Sequence, residues 1–345
     1  MPKQDDIFKQ LPGALLPWYA AKARDLPWRK DTDPYHIWVS EIMLQQTRVE
    51  AVRGYYLRFM KAFPTVQALA AADETQLLKL WEGLGYYNRA RNLQKAAKQI
   101  AAAGGVFPRS YNEVLALPGI GAYTAGAICS ICYDLPVAAV DGNVLRVVSR
   151  LTADDAPIDI EKTKKDMAAA LERIYPEGNC GTFTQALMEL GATICLPRSP
   201  DCAACPAAGF CLARKQGCAA QLPVKAKRME KRTEARTVLL LRCDGSLAIR
   251  RRESKGLLAG LYELPNLAGA LTPEQAFQAA ADFGCRPSEL CRETHKTHVF
   301  THLIWQMTCY HILCTQMPDT FIWASEAELR SQYALPTAFR ICLED

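Results

Sequence analysis

The chain has 345 residues, half of them hydrophobic and 22% charged, with a formal net charge of +5. That length suits two domains, each large enough for its own core, and the composition is that of an ordinary globular protein. The start, Met-Pro-Lys-Gln-Asp-Asp, is polar and acidic with no apolar signal segment after it, and no run is long enough to span a membrane, so secretion and membrane insertion are not expected and a cytoplasmic location is.

Up to about residue 220 the pattern is helical. Apolar residues recur at three- and four-residue spacing over 36–50, 75–83, 90–103, 122–133 and 163–174. Ser110-Tyr-Asn-Glu113 is a capping-box pattern that opens a short helix to about Leu117, where Pro118 ends it. The stretch 221–237, QLPVKAKRMEKRTEART, breaks the period with a proline and with Lys225, Lys227, Arg228, Lys231, Arg232 and Arg236. It reads as a basic linker, and a solvated spacer is at least as good a reading as a phosphate-contacting one. Beyond it, TVLLLRC and SLAIRRR form a hairpin pattern with Asp244-Gly245 at the turn. A helix follows over roughly 273–283, and HVFTHLIWQMTCYHILC is strand-like, rich in aromatic and β-branched residues. The second domain is therefore α+β.

Fourteen cysteines are many for a reducing compartment, where metal binding or plain burial must account for them. Cys129, Cys132, Cys309 and Cys314 lie in apolar runs and act as small hydrophobes. Cys195, Cys202, Cys205 and Cys211 differ. Their spacing, C-x6-C-x2-C-x5-C, sits in a proline-rich polar loop that makes a poor core. Four thiolates there can close a tetrahedral zinc site or hold a cubane cluster. Zinc ribbons usually carry two tight Cys-x2-Cys pairs, and the wide flanking gaps here favour [4Fe–4S].

Gly119-Ile120-Gly121 separates two helical segments. Glycines let backbone amides approach an anion such as a DNA phosphate, but for a bare Gly-x-Gly a tight interhelical turn is the better reading. Asp141, in AVDGNVLRV, alone reads as a turn residue. Glu41 lies in HIWVSEIMLQQTRV with Ile37, Trp38, Leu44 and Gln45 at helical spacing. A carboxyl among those groups would be desolvated and its pKa raised. From this helix alone, the better reading leaves Glu41 wet at the edge of a core face made by Val39, Ile42 and Met43.

Taken together and in this order, VSEIMLQQTRV, LWEGLGYYNRARNL, LPGIGAYTAGAI, AVDGNVLRV and the four-cysteine loop resemble the helix-hairpin-helix DNA glycosylases that carry an iron–sulfur cluster, and within them the MutY-type adenine DNA glycosylases. The resemblance covers nearly the whole chain. It implies a mainly α N-terminal region at 1–222, with a six-helix barrel at about 25–137 and an iron–sulfur helical domain made of 1–24 with 138–222. A basic linker at 223–237 and an α+β Nudix-like lesion-recognition domain at 238–345 follow. In the endonuclease III branch the position of Tyr123 is a lysine that attacks the sugar and then cleaves the strand. Tyrosine cannot form a Schiff base, so the resemblance implies a monofunctional glycosylase. Glu41 would protonate N7 of a flipped adenine and later help activate water. Asp141 would stay ionised and stabilise the oxocarbenium ion, as an ion pair or through a covalent sugar adduct, its polar Asp-Gly-Asn turn setting it apart from the apolar wall around Glu41. Tyr123 and Asn143 would support them.

The same resemblance assigns Arg24, Trp28, Arg29, Leu44 and Gln185 to the pocket for the flipped base, Gln46 and Tyr86 to wedging into the stack, and Gly119, Ile120 and Gly121 to a DNA phosphate. It implies one [4Fe–4S] cluster on Cys195, Cys202, Cys205 and Cys211. It also implies a double-stranded DNA partner with an adenine:8-oxoguanine mispair, no membrane partner, a monomer, and a cytoplasmic place at the bacterial nucleoid. The C-terminal domain is similar to Nudix hydrolases in GLLAGLYELP, but the next stretch, NLAGALTPEQAFQAAADFG, has one glutamate where a hydrolase needs several for magnesium. Recognition is therefore expected there, through Phe300-Thr301-His302, where the family has Phe-Ser-His. The threonine keeps the hydroxyl that could distinguish an oxidised guanine. Without the resemblance, this stretch reads as a plain strand. Three rivals remain: a thymine mismatch glycosylase, opposed by residues 238–345; an endonuclease III-like lyase, opposed by Tyr123; and a non-catalytic iron–sulfur redox sensor on DNA, which would need neither Glu41 nor Asp141.

Overall fold

The computed structural model describes residues 4–226, 231–253 and 255–344, so Lys227 and Arg228 of the basic stretch lie outside the described residues. The chain divides into two compact units, Met1–Ala71 with Asn92–Lys227, and Ala72–Arg91 with Arg228–Asp345. In chain order the helices are α1 (Gln4–Lys22), α2 (Pro34–Leu44), α3 (Val49–Ala62), α4 (Val66–Ala71), α5 (Glu74–Leu80), α6 (Asn88–Ala102), α7 (Tyr111–Leu115), α8 (Ala122–Tyr133), α9 (Gly142–Thr152), α10 (Glu161–Glu172), α11 (Cys180–Thr193) and α12 (Leu212–Lys215). Among the described residues no helix is long and apolar enough to cross a membrane.

The first unit is all helix. Ile7, Leu11 and Leu15 recur at four-residue spacing on α1 and form one buried cluster with Val144, Val148, Phe183 and Leu187 of α9 and α11. The long apolar run expected over 36–50 is two helices. Asp33 caps α2 by accepting from Tyr35 N–H at 2.8 Å, and Pro34 fits the first turn. The chain then breaks at Gln46, whose φ of 58° is left-handed, before α3 begins. The Ser110–Glu113 capping box forms and opens α7.

Glycine sets the closest approaches. A Cβ on Gly126 would stand 2.4 Å from the Ala138 carbonyl oxygen, and one on Gly191 would stand 2.6 Å from Asn143 Cβ, so α8 and α11 lie against neighbouring backbone that no side chain would admit.

The second unit is built on a seven-stranded mixed sheet. Its strands are β1 (Arg232–Cys243), β2 (Ser246–Arg251), β3 (Tyr262–Glu263), β4 (Asn266–Ala268), β5 (Pro287–Val299), β6 (Leu303–Cys314) and β7 (Ile322–Ala324), in the order β3-β2-β1-β6-β5, with β4 on β1 and β7 on β2. The β1–β2 hairpin closes at Asp244-Gly245, both with positive φ, as the Asp-Gly signal requires. β1 starts at Arg232, inside the expected linker, because residues from Arg232 onward pair in parallel with β6 from Leu303. Helix α13 (Pro273–Asp282) covers one face of the sheet through Ala276 and Ala280. The other face packs Trp305 and Met307 against Ala338 and Phe339 of α15 (Thr337–Arg340), which follows α14 (Glu326–Ser331). The stretch HVFTHL is not one strand. Val299 pairs with Ile304, and Phe300-Thr301-His302 lies in the turn between β5 and β6.

Segment 72–91 groups with this second unit rather than with the helices around it in sequence. Lys79, Glu82 and Arg91 bond to backbone groups at 259, 329, 333 and 335, which explains that grouping.

Gly126→Ala is expected to destabilise the first unit by about 1–3 kcal/mol, since its new methyl meets backbone that cannot rotate away. The check is a lowered urea midpoint; an unchanged midpoint would show that α8 can shift freely.

Candidate active site

A cavity of about 540 Å³ opens in the first unit, within the usual range for a small-ligand site. Arg24, Trp28, Arg29, Glu41, Leu44, Gln46, Tyr123, Asp141, Asn143 and Gln185 all line it. Ten residues that the sequence drew from five separate stretches therefore share one space. Tyr86, Phe300, Thr301 and His302 belong to the second unit.

Glu41 is not at the wet edge of its helix. Tyr35 and residues 37–43 of α2 are all buried, and Glu41 itself is 6% exposed. The helix is apolar on nearly every side, so the carboxyl is enclosed along with its neighbours. Tyr123, in the first turn of α8, donates its hydroxyl to Glu41 Oε2 at 2.5 Å. Burial pushes the Glu41 pKa up to about 7; the Tyr123 bond opposes that, the charge of Asp141 adds to it, and Arg29 lowers it. Tyr123 is held well above the usual phenol value by burial and by the two carboxylates, so it remains a donor.

Asp141 caps α9. Its Oδ1 accepts from Val144 N–H at 2.7 Å and its Oδ2 from Asn143 Nδ2 at 2.8 Å. The polar turn thus supplies the donors expected of it, but burial outweighs them and the Asp141 carboxyl also sits above its ordinary value. The two acids differ in their surroundings: donors from Val144 and Asn143 and the charge of Arg146 oppose burial at Asp141, whereas the Tyr123 bond and Arg29 oppose it at Glu41, and the charge of Asp141 is one cause of the raised Glu41 value.

Two arrangements escaped the sequence. Glu189, 0% exposed, accepts from Arg24 Nε at 2.7 Å and from Arg29 at 2.8 Å. Burial would raise its pKa, but the bonds and charges of Arg24 and Arg29 hold it below the ordinary carboxylate range. It fixes both arginines in the cavity wall, while Tyr19 donates to Gln185 Oε1 at 2.6 Å. A glutamate four residues after the Gln185 position on one helix was the available signal, and only the arginines' placement gives it meaning. The second is Arg146. It donates to Asn143 Oδ1 at 2.9 Å, to Gly191 O at 2.8 Å and to Cys195 O at 2.8 Å. A chain of bonds therefore runs Asp141–Asn143–Arg146–Cys195.

Cys195, Cys202, Cys205 and Cys211 line a second cavity beside Arg150 and Leu151. Arg150, 2% exposed, donates to Cys195 Sγ at 3.3 Å, to Leu196 O at 2.7 Å, to Pro197 O at 2.8 Å and to Leu222 O at 2.9 Å, tying the cysteine loop to the chain that leaves it. Burial pushes the Cys205 thiol up to about 11, and the other three cysteines push it the same way, so the four are mutual neighbours. Among the described residues no three His, Cys, Asp or Glu side chains converge on a single ion.

At the hairpin, Gly119 has φ 78° and lies so close to Asn92 that a Cβ would stand 2.6 Å from that residue's Cβ. Gly121 caps α8 with no side-chain acceptor, and Ile120 is buried beneath the turn.

In the second unit, Thr301 and His302 are exposed at the β5–β6 turn, while Phe300 packs edge-on against Trp305 at 4.9 Å. Tyr86, half exposed and with a left-handed φ of 47°, shares a hydroxyl–hydroxyl bond of 3.1 Å with Thr301. Glu263, from the GLLAGLYELP stretch, is bound by Arg250 at 2.8 Å, by Arg252, and by Asn266 at 2.7 Å, so arginines and an amide hold its charge.

A helical fold with a glycine hairpin ahead of a buried acid–carboxylate pair is the build of a base-excision glycosylase. Residues 39–177 match the HhH-GPD superfamily of base excision DNA repair proteins, and residues 236–345 match the NUDIX domain. The adenine DNA glycosylase of Homo sapiens is 36% identical over 397 aligned residues, covering 95% of this chain and 72% of that one. That of Mus musculus is 34% identical, covering 88% and 70%. A thermostable thymine-DNA glycosylase superposes with a TM-score of 0.56 at 28% identity, covering 61% of this chain and 98% of its own. The chain belongs to the adenine DNA glycosylase family, whose members are DNA N-glycosylases.

The raised Glu41 pKa carries a stability cost. Its folded value of about 7 lies above the ordinary 4.5, so the folded state holds a proton that the unfolded chain releases, and stability falls as pH rises through that window. The full shift corresponds to roughly 3 kcal/mol. Glu41→Gln is therefore expected to unfold at a higher temperature than the parent at about pH 8 and at nearly the same temperature at about pH 5. Equal midpoints at both would show that Glu41 is solvated.

Proposed function

We propose that this protein excises adenine from double-stranded DNA where it is mispaired with 8-oxoguanine or guanine, leaving the backbone intact. The observation that carries the reading is the Glu41–Asp141 pair on one cavity, with Tyr123 where a strand-cleaving enzyme needs an amine. A flipped adenine enters the cavity, at an unstacking cost of a few kcal/mol. Tyr123 donates to Glu41 Oε2, which leaves Oε1 to carry the acid proton. That proton passes to N7 as the glycosidic bond breaks and its electron pair leaves with the base. The Asp141 carboxylate, steadied by Asn143 and the Val144 amide, faces the positive charge left on the sugar. Water then adds to the sugar and gives its proton to the Glu41 carboxylate, restoring the acid.

Arg24 and Arg29 are held by Glu189 and so present fixed donors to the edge of the base, with Trp28 and Leu44 as the apolar wall. The exposed Thr301 hydroxyl suits a contact with the opposite base, and its bond to Tyr86 supports a shared role for the two. The Gly119–Gly121 turn, without a side-chain cap, suits a phosphate.

Four cysteines lining one cavity suit a [4Fe–4S] cluster on Cys195, Cys202, Cys205 and Cys211. Bound there, it would supply a cross-link for the loop and a compact redox-active charge beside Arg150. Cys202→Ser is expected to strip iron and acid-labile sulfide from the purified protein. Stoichiometric zinc in the parent would replace the cluster reading with a single-ion one.

The deciding experiment is base removal from a labelled duplex holding adenine opposite 8-oxoguanine, with and without alkali. Strand breaks are expected only after alkali, and Glu41→Gln should slow base removal at least about a hundredfold, the range of a lost general acid. With Glu41 acting as the acid, the rate should fall as pH rises through about 7. Breaks without alkali would indicate a lyase, and thymine release from a mismatch would indicate the other branch.

A further inference from the structure

We infer that Lys79 and Glu82 are positioning residues: a latch through which the C-terminal domain helps set the conformation of the Tyr86 loop. The inference deepens the proposed function and rests on it, because it concerns how the opposite base is read.

Three observations carry it. Segment 72–91 belongs to the second compact unit although it lies inside the sequence matched to the glycosylase superfamily. Its attachment is polar and made to backbone. Lys79 Nζ donates to Leu329 O at 3.0 Å and Tyr333 O at 3.1 Å, and pairs with Glu82 Oε2 at 2.6 Å, while Glu82 Oε1 accepts from Leu335 N–H at 2.9 Å. Arg91 adds a bond to Ala259 O at 2.8 Å, where Gly260 has no Cβ to obstruct it. The gripped backbone is itself anchored, since Ala334 and Leu335 are 2% exposed and lead into the Phe339 core.

The loop that follows Glu82 is then shaped from within. Gly83 and Gly85 have positive φ, and Arg89 donates to Leu84 O at 2.8 Å and Gly85 O at 3.1 Å. Tyr86 is left in its left-handed conformation with its hydroxyl on Thr301. An aromatic residue does not hold that conformation unless its surroundings impose it. Lys79 and Glu82 sit at the start of the loop, and the Thr301 turn sits at its tip. Both ends of the loop thus answer to the same domain.

The pair is chosen well for this task. Both side chains are mostly withdrawn from water, at 17% and 11% exposure. Each spends its charge on the other and on carbonyl or amide groups whose positions the sheet and α14–α15 determine. Removing one partner takes from the other its charged neighbour at 2.6 Å.

The test uses full-length protein carrying Lys79→Met, Glu82→Gln or Lys79→Arg. Single-turnover adenine removal is measured opposite 8-oxoguanine and opposite guanine, with hydrogen exchange followed over residues 83–91. Lys79→Met and Glu82→Gln should speed exchange in that loop and lower the 8-oxoguanine-to-guanine rate ratio by about tenfold, roughly 1.4 kcal/mol. The rate opposite guanine should stay unchanged, and Lys79→Arg should restore both readouts. Because the loss acts through Tyr86, adding Tyr86→Phe to Lys79→Met should cost less than the sum of the two. Unchanged exchange, or faster exchange with an unchanged ratio, overturns the latch. An equal fall in both rates also overturns it, since that is general destabilisation. If the parent itself shows no preference for 8-oxoguanine, the proposed function fails on that count, and exchange alone decides the latch: faster supports it, unchanged overturns it.

Discussion

Burial in a helix that is apolar on nearly every side raises the Glu41 pKa to about 7, against the pull of the Tyr123 hydrogen bond. A carboxylate there would lose water and gain little in return, so the neutral acid is the stable form. The rest of the first unit is arranged around that fact. Gly126 lets α8 approach the segment leading to Asp141, and the same helix delivers the Tyr123 hydroxyl to Oε2. The site costs the fold stability, as functional groups held in unfavourable states do.

Four arginines, of which Arg146 and Arg150 are buried, do much of the remaining organising, each fixed by the acceptors it binds. Arg24 and Arg29 converge on Glu189; Arg146 spans Asn143, Gly191 and Cys195; Arg150 binds the cysteine loop and Leu222. A guanidinium presents a planar fork of donors that can bridge several acceptors at once, which a lysine cannot. The result is a continuous bonded path from the capping carboxylate Asp141 to the backbone of Cys195. The close contact between Gly191 and Asn143 makes the path possible, since a side chain on α11 at that point would displace Asn143.

The second unit solves a different problem. Its sheet buries two apolar faces, and the polar groups enclosed with them, Thr237, Glu263 and Asn266, are hydrogen-bonded. Glu263 is held by Arg250 and Arg252, and α13 carries Ala276 and Ala280 inward with few charges outward. The turn at Thr301 is exposed and is bonded to the half-exposed Tyr86.

Much of this was legible in the chain. Periodicity located α2, α6, α8 and α10 of the first unit though not α1, α3, α9 or α11, the Asp-Gly dipeptide marked the β1–β2 turn, and the order of five short motifs marked the superfamily, because each is a local signal with a local physical cause. Spacing alone put four cysteines together, since a short loop leaves them little room to part. What the sequence misjudged depended on distant partners. Periodicity on α2 left Glu41 wet, because it cannot see that α8 closes the other side. The stretch HVFTHL read as one strand, because a turn without glycine or proline has no local mark. Segment 72–91 lies within the glycosylase match, and only the structure shows that Lys79 and Glu82 also bind backbone some two hundred and fifty residues onward. Glu189 and Arg146 drew no reading from the sequence, because their partners are distant in the chain or made of backbone. Residue types and their order determined what chemistry the chain could hold; the enclosure of Glu41 against Tyr123, and the bonds of Lys79 and Glu82 to backbone at 329, 333 and 335, were decided by burial and long-range bonding that exist only once the chain has folded.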